Sequence, residues 1–142
     1  MGTTRFACAS AIVGKLSVAF CAGLAIGPVA HAEDRARADS PYRLGEAYAD
    51  IAATCETVKY WIDHPMEFDG RVTMTVRGEL SAVEWDGVFA YLVMCEQSGV
   101  QVMCVTYSKE NRNIGDTVLF GGGFQRVGDR QIMLDPCLAS KE

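Results

Sequence analysis

The chain has 142 residues, of which 18 are Asp or Glu and 13 are Lys or Arg, for a formal net charge of −5. That length fits one domain and leaves little room for a second. An acidic chain without a basic run lacks the cations that release counterions from phosphates, which argues against nucleic acid and anionic membranes as partners.

Arg5 and Lys15 precede an apolar stretch, Leu16 to Ile26, that runs into Gly27, Pro28 and then Ala-His-Ala. This is the pattern of a secretory signal peptide over residues 1–32, cleaved after Ala32. The apolar run is shorter than the roughly 20 residues a spanning helix needs, so no transmembrane segment is expected after cleavage. A lipoprotein signal with Cys21 as the lipidated residue competes weakly, because Phe20 stands where such signals have a small residue. All 18 acidic residues follow residue 32 while Arg5 and Lys15 precede it, so residues 33–142 carry a net charge of −7. The expected location is periplasmic or secreted.

Residues 33–40 are charged or small and predict a flexible leader. Ser40-Pro41 then reads as a helix cap followed by proline at the first helical position. Leu44, Tyr48, Ile51, Cys55, Val58 and Ile62 recur at steps of four and three, which predicts one amphipathic helix over 41–64, ended by His64-Pro65.

From Arg71 the period becomes two. Val72, Met74 and Val76 alternate with polar residues, and Gly78 interrupts a run continuing to Trp85, as in a strand bent at a glycine. Asp86-Gly87 predicts a type I′ hairpin. The next strands are Val88 to Cys95 and Val100 to Tyr107, followed by a polar link, a strand from Gly115, a turn at Gly128-Asp129 and a last strand through Cys137. Gly121-Gly122-Gly123 is not followed by the Lys-Ser/Thr and helix of a phosphate loop, so it reads as a place where a strand curls or another backbone comes close.

Four cysteines follow the signal: Cys55, Cys95, Cys104 and Cys137. An even number in a short exported domain reads as two disulfides, and with no Cys-x-x-Cys pair a metal site is not expected. Cys95 with Cys104 across a hairpin centred between Gly99 and Val100, and Cys55 with Cys137, is the favoured pairing. A different hairpin register lets Cys104 reach the last strand instead.

The order of these elements, with "DGRVTMTVRGEL" followed by a hairpin and later "GDTVLFGG", resembles a bacterial exported OB-fold domain with a nucleic-acid-binding-like barrel, over Phe68 to Leu138. The expected fold is mostly β, a five-stranded Greek-key barrel over 66–142 preceded by the helix. The resemblance implies a ligand face on the second and third barrel strands, with Trp85, Tyr91, Tyr107, Phe124 and Arg126 on it or at its rim; the aromatic residues equally suit the barrel core, and Tyr91 is read as core. It departs from the OB pattern in having only "SKENRN" where a helix usually separates strands three and four.

No catalytic set is apparent. Asp63, His64, Glu67 and Asp69 are the most enzyme-like cluster, since histidine near carboxylates can act as a general base, but polar residues are expected at a turn and no nucleophile accompanies them. The expectation is a non-enzymatic exported binding module for a protein, peptide or envelope glycan, without a cofactor. Single-stranded nucleic-acid binding and a small hydrolase using His64 are the alternatives.

Overall fold

A computed structural model describes residues 39–45, 48–67, 69–108 and 110–142. The expected signal peptide and most of the expected leader lie outside these residues. The elements are β1 (Tyr42–Leu44), β2 (Ala53–Thr54), α1 (Val58–Asp63), β3 (Val72–Trp85), β4 (Ala90–Met94), β5 (Gln101–Thr106), β6 (Thr117–Gly128) and β7 (Gln131–Lys141).

Five of the strands close on themselves. β3 pairs antiparallel with β4, and β4 with β5; β5 runs parallel to β7; β7 pairs antiparallel with β6, which returns to β3. The result is a closed five-stranded barrel, compatible with an OB-like fold, in which all five barrel strands are paired on both sides. β3 makes closure possible by changing partner along its length. Thr73 to Glu79 pair with β6, and Leu80 to Trp85 pair with β4 after a register shift between Leu80 and Ala82. The inward residues are apolar and closely packed: Met74, Val76, Leu92, Val102, Phe120 and Leu134 are fully buried, joined by Val58 and Ile62 from α1. Among the described residues, no helix is long and apolar enough to cross a membrane.

The glycine triplet serves close approach. A Cβ on Gly121 would overlap the Tyr48 ring, one on Gly122 would lie 2.5 Å from the Pro136 carbonyl oxygen and 2.9 Å from the Cys137 Cα, and one on Gly123 would lie 2.5 Å from the Asp135 oxygen. This matches the strand reading of the triplet.

The helix expected over 41–64 is confined to Val58–Asp63. Upstream, the described strand segments hydrogen-bond to the barrel: β1 pairs antiparallel with β3, β2 pairs parallel with it, and the Thr75 N–H donates to the Pro41 carbonyl. Gly45, at φ +77°, ends β1 in a left-handed turn. Leu44, Tyr48 and Ile51 are consequently 46, 48 and 42% exposed, and of the predicted stripe only Val58 and Ile62 are fully buried.

The type I′ hairpin is also corrected. The β3–β4 loop runs Asp86 to Phe89, with positive φ at Gly87 alone of its residues, and is held by the Asp86 carboxylate, which accepts from the N–H groups of Val88 and Phe89 at 2.8 and 2.7 Å. An aspartate that caps its own loop takes the place of a second left-handed residue.

The favoured disulfide pairing is overturned. Cys55 is bonded to Cys95 and Cys104 to Cys137, with Cα separations of 4.8 and 5.4 Å. The β4–β5 register explains why. A 3₁₀ turn at Glu96–Ser98 places Leu92, not Cys95, opposite Cys104, while the parallel register of β5 on β7 aligns Cys104 with Leu134, near Cys137. Cys95 has left the ladder at φ +68° and meets Cys55 beside Gly78, where a Cβ would lie 2.6 Å from the Cys55 sulfur.

Candidate functional site

Strand alternation builds the site. On β4, β5 and β7, the residues Leu92, Val102, Cys104, Ile132 and Leu134 point inward with at most 1% exposure, so their neighbours in sequence point outward. The registers Val93↔Met103↔Met133 and Tyr91↔Val105 align these outward residues in two rows. Met103, Val105, Tyr91 and Met133 are half-buried and stand side by side in these registers as an apolar face. At its upper end the rings of Phe89 and Tyr107 lie 5.2 Å apart in a tilted contact, with Tyr107 itself 72% exposed.

Polar groups border this face. Glu84 of β3 pairs with Tyr91 and so shares its side of the sheet. The Tyr91 hydroxyl donates to the second Asp86 oxygen at 3.0 Å. That hydrogen bond raises the phenol pKa above its ordinary value, with partial desolvation and the charges of Asp86 and Asp135 acting in the same direction. The Asp86 carboxyl is held below the usual range, first by the Phe89 and Val88 N–H groups. At the lower end Glu96 accepts from the Ser81 hydroxyl at 2.8 Å and the Gln101 amide at 3.3 Å.

Of the five residues the sequence singled out, Tyr91 and Tyr107 stand on this face. Trp85 is opposite Ala90, whose side chain points into the barrel, so it stands at the strand end on the other side from Tyr91. Phe124 is opposite the inward Leu134, and its ring packs edge-on to Tyr42 at 5.2 Å. These two rings line a separate cleft of about 650 Å³ bordered by Glu67, Arg71 and Asp135. The Arg126 guanidinium is spent on backbone, donating to the carbonyls of Ile62 at 2.9 Å, Gly128 and Asp129, and so ties α1 to the β6–β7 turn. Phe89, Met103, Val105 and Met133 were missed. The strict alternation of Gln101, Met103, Val105 and Tyr107 was the available signal, masked by the apolar residues between them.

The His64 ring stacks on Tyr60 at 4.5 Å, with its Nδ1 3.0 Å from the Tyr60 carbonyl, and the Asp63 carboxylate accepts from Lys59. That bond lowers the Asp63 pKa. A second groove of about 860 Å³ runs beside the Cys55–Cys95 bridge, lined by Arg77, Glu79, Ser81 and Ile114 among others. Among the described residues, no group of three or more His, Cys, Asp or Glu could hold a metal ion. No protein-family model matches the chain, and no curated protein matches it.

Proposed function

We propose that the protein is an exported, non-enzymatic OB-fold binding module that recognises a protein, peptide or envelope glycan on the outer face of β4 and β5. Taken as barrel strands one to five, β3 to β7 have the first strand closing on the fourth and the third parallel to the fifth, which supports the OB reading. In such barrels ligands bind on strands two and three, between the loop after strand one and the loop after strand four. Those positions correspond here to β4–β5, the Asp86–Phe89 loop and the turn at Asp129–Arg130. The observation that carries the proposal is the half-exposed face of Tyr91, Met103, Val105 and Met133 ending in the Phe89–Tyr107 pair. Two disulfides fit an oxidising compartment. The stacking of His64 on Tyr60 supports a structural role for that histidine.

Immobilised protein should retain a partner from envelope extract, identifiable by mass spectrometry, and a Met103→Ser/Tyr107→Ala variant with unchanged circular dichroism should lose it. Equal retention by the variant would move the binding surface elsewhere. Single-stranded nucleic acid is a second reading favoured by the Phe89–Tyr107 rings, on which bases could stack.

A further inference from the structure

The apolar face of β4, β5 and β7 is bordered by four carboxylates. Glu84 stands beside Tyr91 from β3, Asp86 accepts its hydroxyl, and Asp135 on β7 follows Met133 by two residues and acts electrostatically on the same phenol. Glu96 closes the lower end through Gln101. Two cations approach the border. Arg130 comes within 3.5 Å of the position a Cβ would take on Gly99, and Arg71 lies over Gly123, by the backbone of Asp135.

We infer that the partner is a cationic peptide segment, basic residues alternating with apolar ones, seated along β5 with its apolar side chains on Met103, Val105 and Met133. This rests on the reading of that face as the binding surface. From Gln101 to Tyr107 the face extends about 20 Å, enough for roughly six extended residues. β4 is hydrogen-bonded on both edges, to β3 and β5, so contact is through side chains and not by strand addition to it. The neighbouring methionines suit this, because unbranched thioethers adapt to varied apolar side chains. A guanidinium or ammonium group reaching the upper end meets Glu84, Asp86 and Asp135 around the Tyr91 ring, whose π-face attracts cations. An anionic partner would meet the same carboxylates with the wrong sign, and a neutral glycan, though its hydroxyls can donate to them, would leave their charge unbalanced.

The test uses the protein as the cell accumulates it and three short peptides alternating leucine with arginine, glutamine or glutamate, together with a neutral oligosaccharide. Amide NMR shifts locate each probe and calorimetry measures its affinity at low and high salt. The arginine peptide should bind most tightly, shift Tyr91, Met103 and Met133, and weaken as salt rises. A Glu84→Gln/Asp135→Asn variant with unchanged thermal unfolding should bind it roughly tenfold more weakly, the combined effect of two exposed charge pairs. Equal binding of the arginine and glutamine peptides, or preference for the glutamate peptide or the oligosaccharide at this same face, overturns the cationic partner and leaves the face as a binding surface. Arginine-peptide binding that shifts other residues and survives Met103→Ser/Tyr107→Ala overturns both, as does failure of every probe to bind.

Discussion

Two adjacent glycines of β6 illustrate how one added methyl group has different costs a few ångströms apart. At Gly122 the obstruction is backbone, the Pro136 oxygen and the Cys137 Cα, neither of which can move without disturbing the β6–β7 ladder. At Gly121 it is the ring of Tyr48, half exposed and able to swing outward. Gly122→Ala should therefore destabilise the protein by about 1–3 kcal/mol, in the range of overpacking, and Gly121→Ala by less. Urea unfolding of the two variants would show the order, and equal midpoints would contradict it. Asp86 offers a second check at this scale. Its pKa is lowered in the folded chain by the Phe89 and Val88 N–H groups, so the stabilisation it supplies is present above its unfolded value of about 3.9 and is lost as pH falls through the lower folded value. The Val88 and Phe89 amide resonances should titrate with a midpoint below the ordinary aspartate value. A midpoint at or above that value would show that the loop is not held by this carboxylate.

Among the elements, the two disulfides differ in what they join and how they are covered. Cys104–Cys137 ties β5 to β7 inside the barrel with both residues buried, whereas Cys55–Cys95 fastens the segment carrying β2 and α1 to the end of β4, beside the second groove, with Cys55 only half-buried. A mild thiol reductant should open Cys55–Cys95 first. Timed alkylation and peptide mapping would show it, and earlier labelling of Cys104 or Cys137 would reverse the order. The same segment shows where sequence reading ends. The spacing of Leu44, Tyr48 and Ile51 fits a helix, yet backbone pairing with β3 and the left-handed turn at Gly45 take precedence, and periodicity carries no information about a partner strand thirty residues away. The barrel strands were legible because alternation, glycines and turn residues are local. Tyr91 and Tyr107 were singled out through the OB resemblance and not by a local pattern, with the core as the expected place of Tyr91; the inward Leu92–Cys104 register turns Tyr91 outward instead. Met103 and Met133 become neighbours only through the parallel β5–β7 register, and the cysteine pairing depends on the 3₁₀ turn at Glu96–Ser98, neither of which a local pattern encodes.

For the molecule as a whole, charge decides among partners that the fold alone would admit. OB-like barrels serve many ligands, so function has to be argued from the surface. Here aromatic rings that would suit nucleobases are set among Glu84, Asp86 and Asp135, on a chain with a net charge of −5. Single-stranded DNA should bind weakly or not at all at physiological salt, because contacts to phosphate supply most of the non-specific affinity. Fluorescence anisotropy with a labelled oligonucleotide would test this; sub-micromolar binding that falls steeply with added salt would reveal a basic face elsewhere on the molecule.

The position of β7 has a consequence in time. It is the last strand in the sequence, yet it joins β5 to β6, provides Cys137, and is secured near its end by Lys141 on Asp116 and Glu142 on Arg77. A chain that emerges with its N-terminus first, from the ribosome or across a membrane, cannot close the barrel until residues 131–141 have arrived. Before then β5 and β6 each lack a partner strand, and Cys104 lacks the thiol to which it is bonded in the folded protein. Closure of the barrel is therefore a late event in the emergence of the chain. A chain stopped after Arg130 should unfold without a cooperative transition and be cleaved rapidly by protease, whereas a protease-resistant product would mean that the first four barrel strands hold together without the fifth.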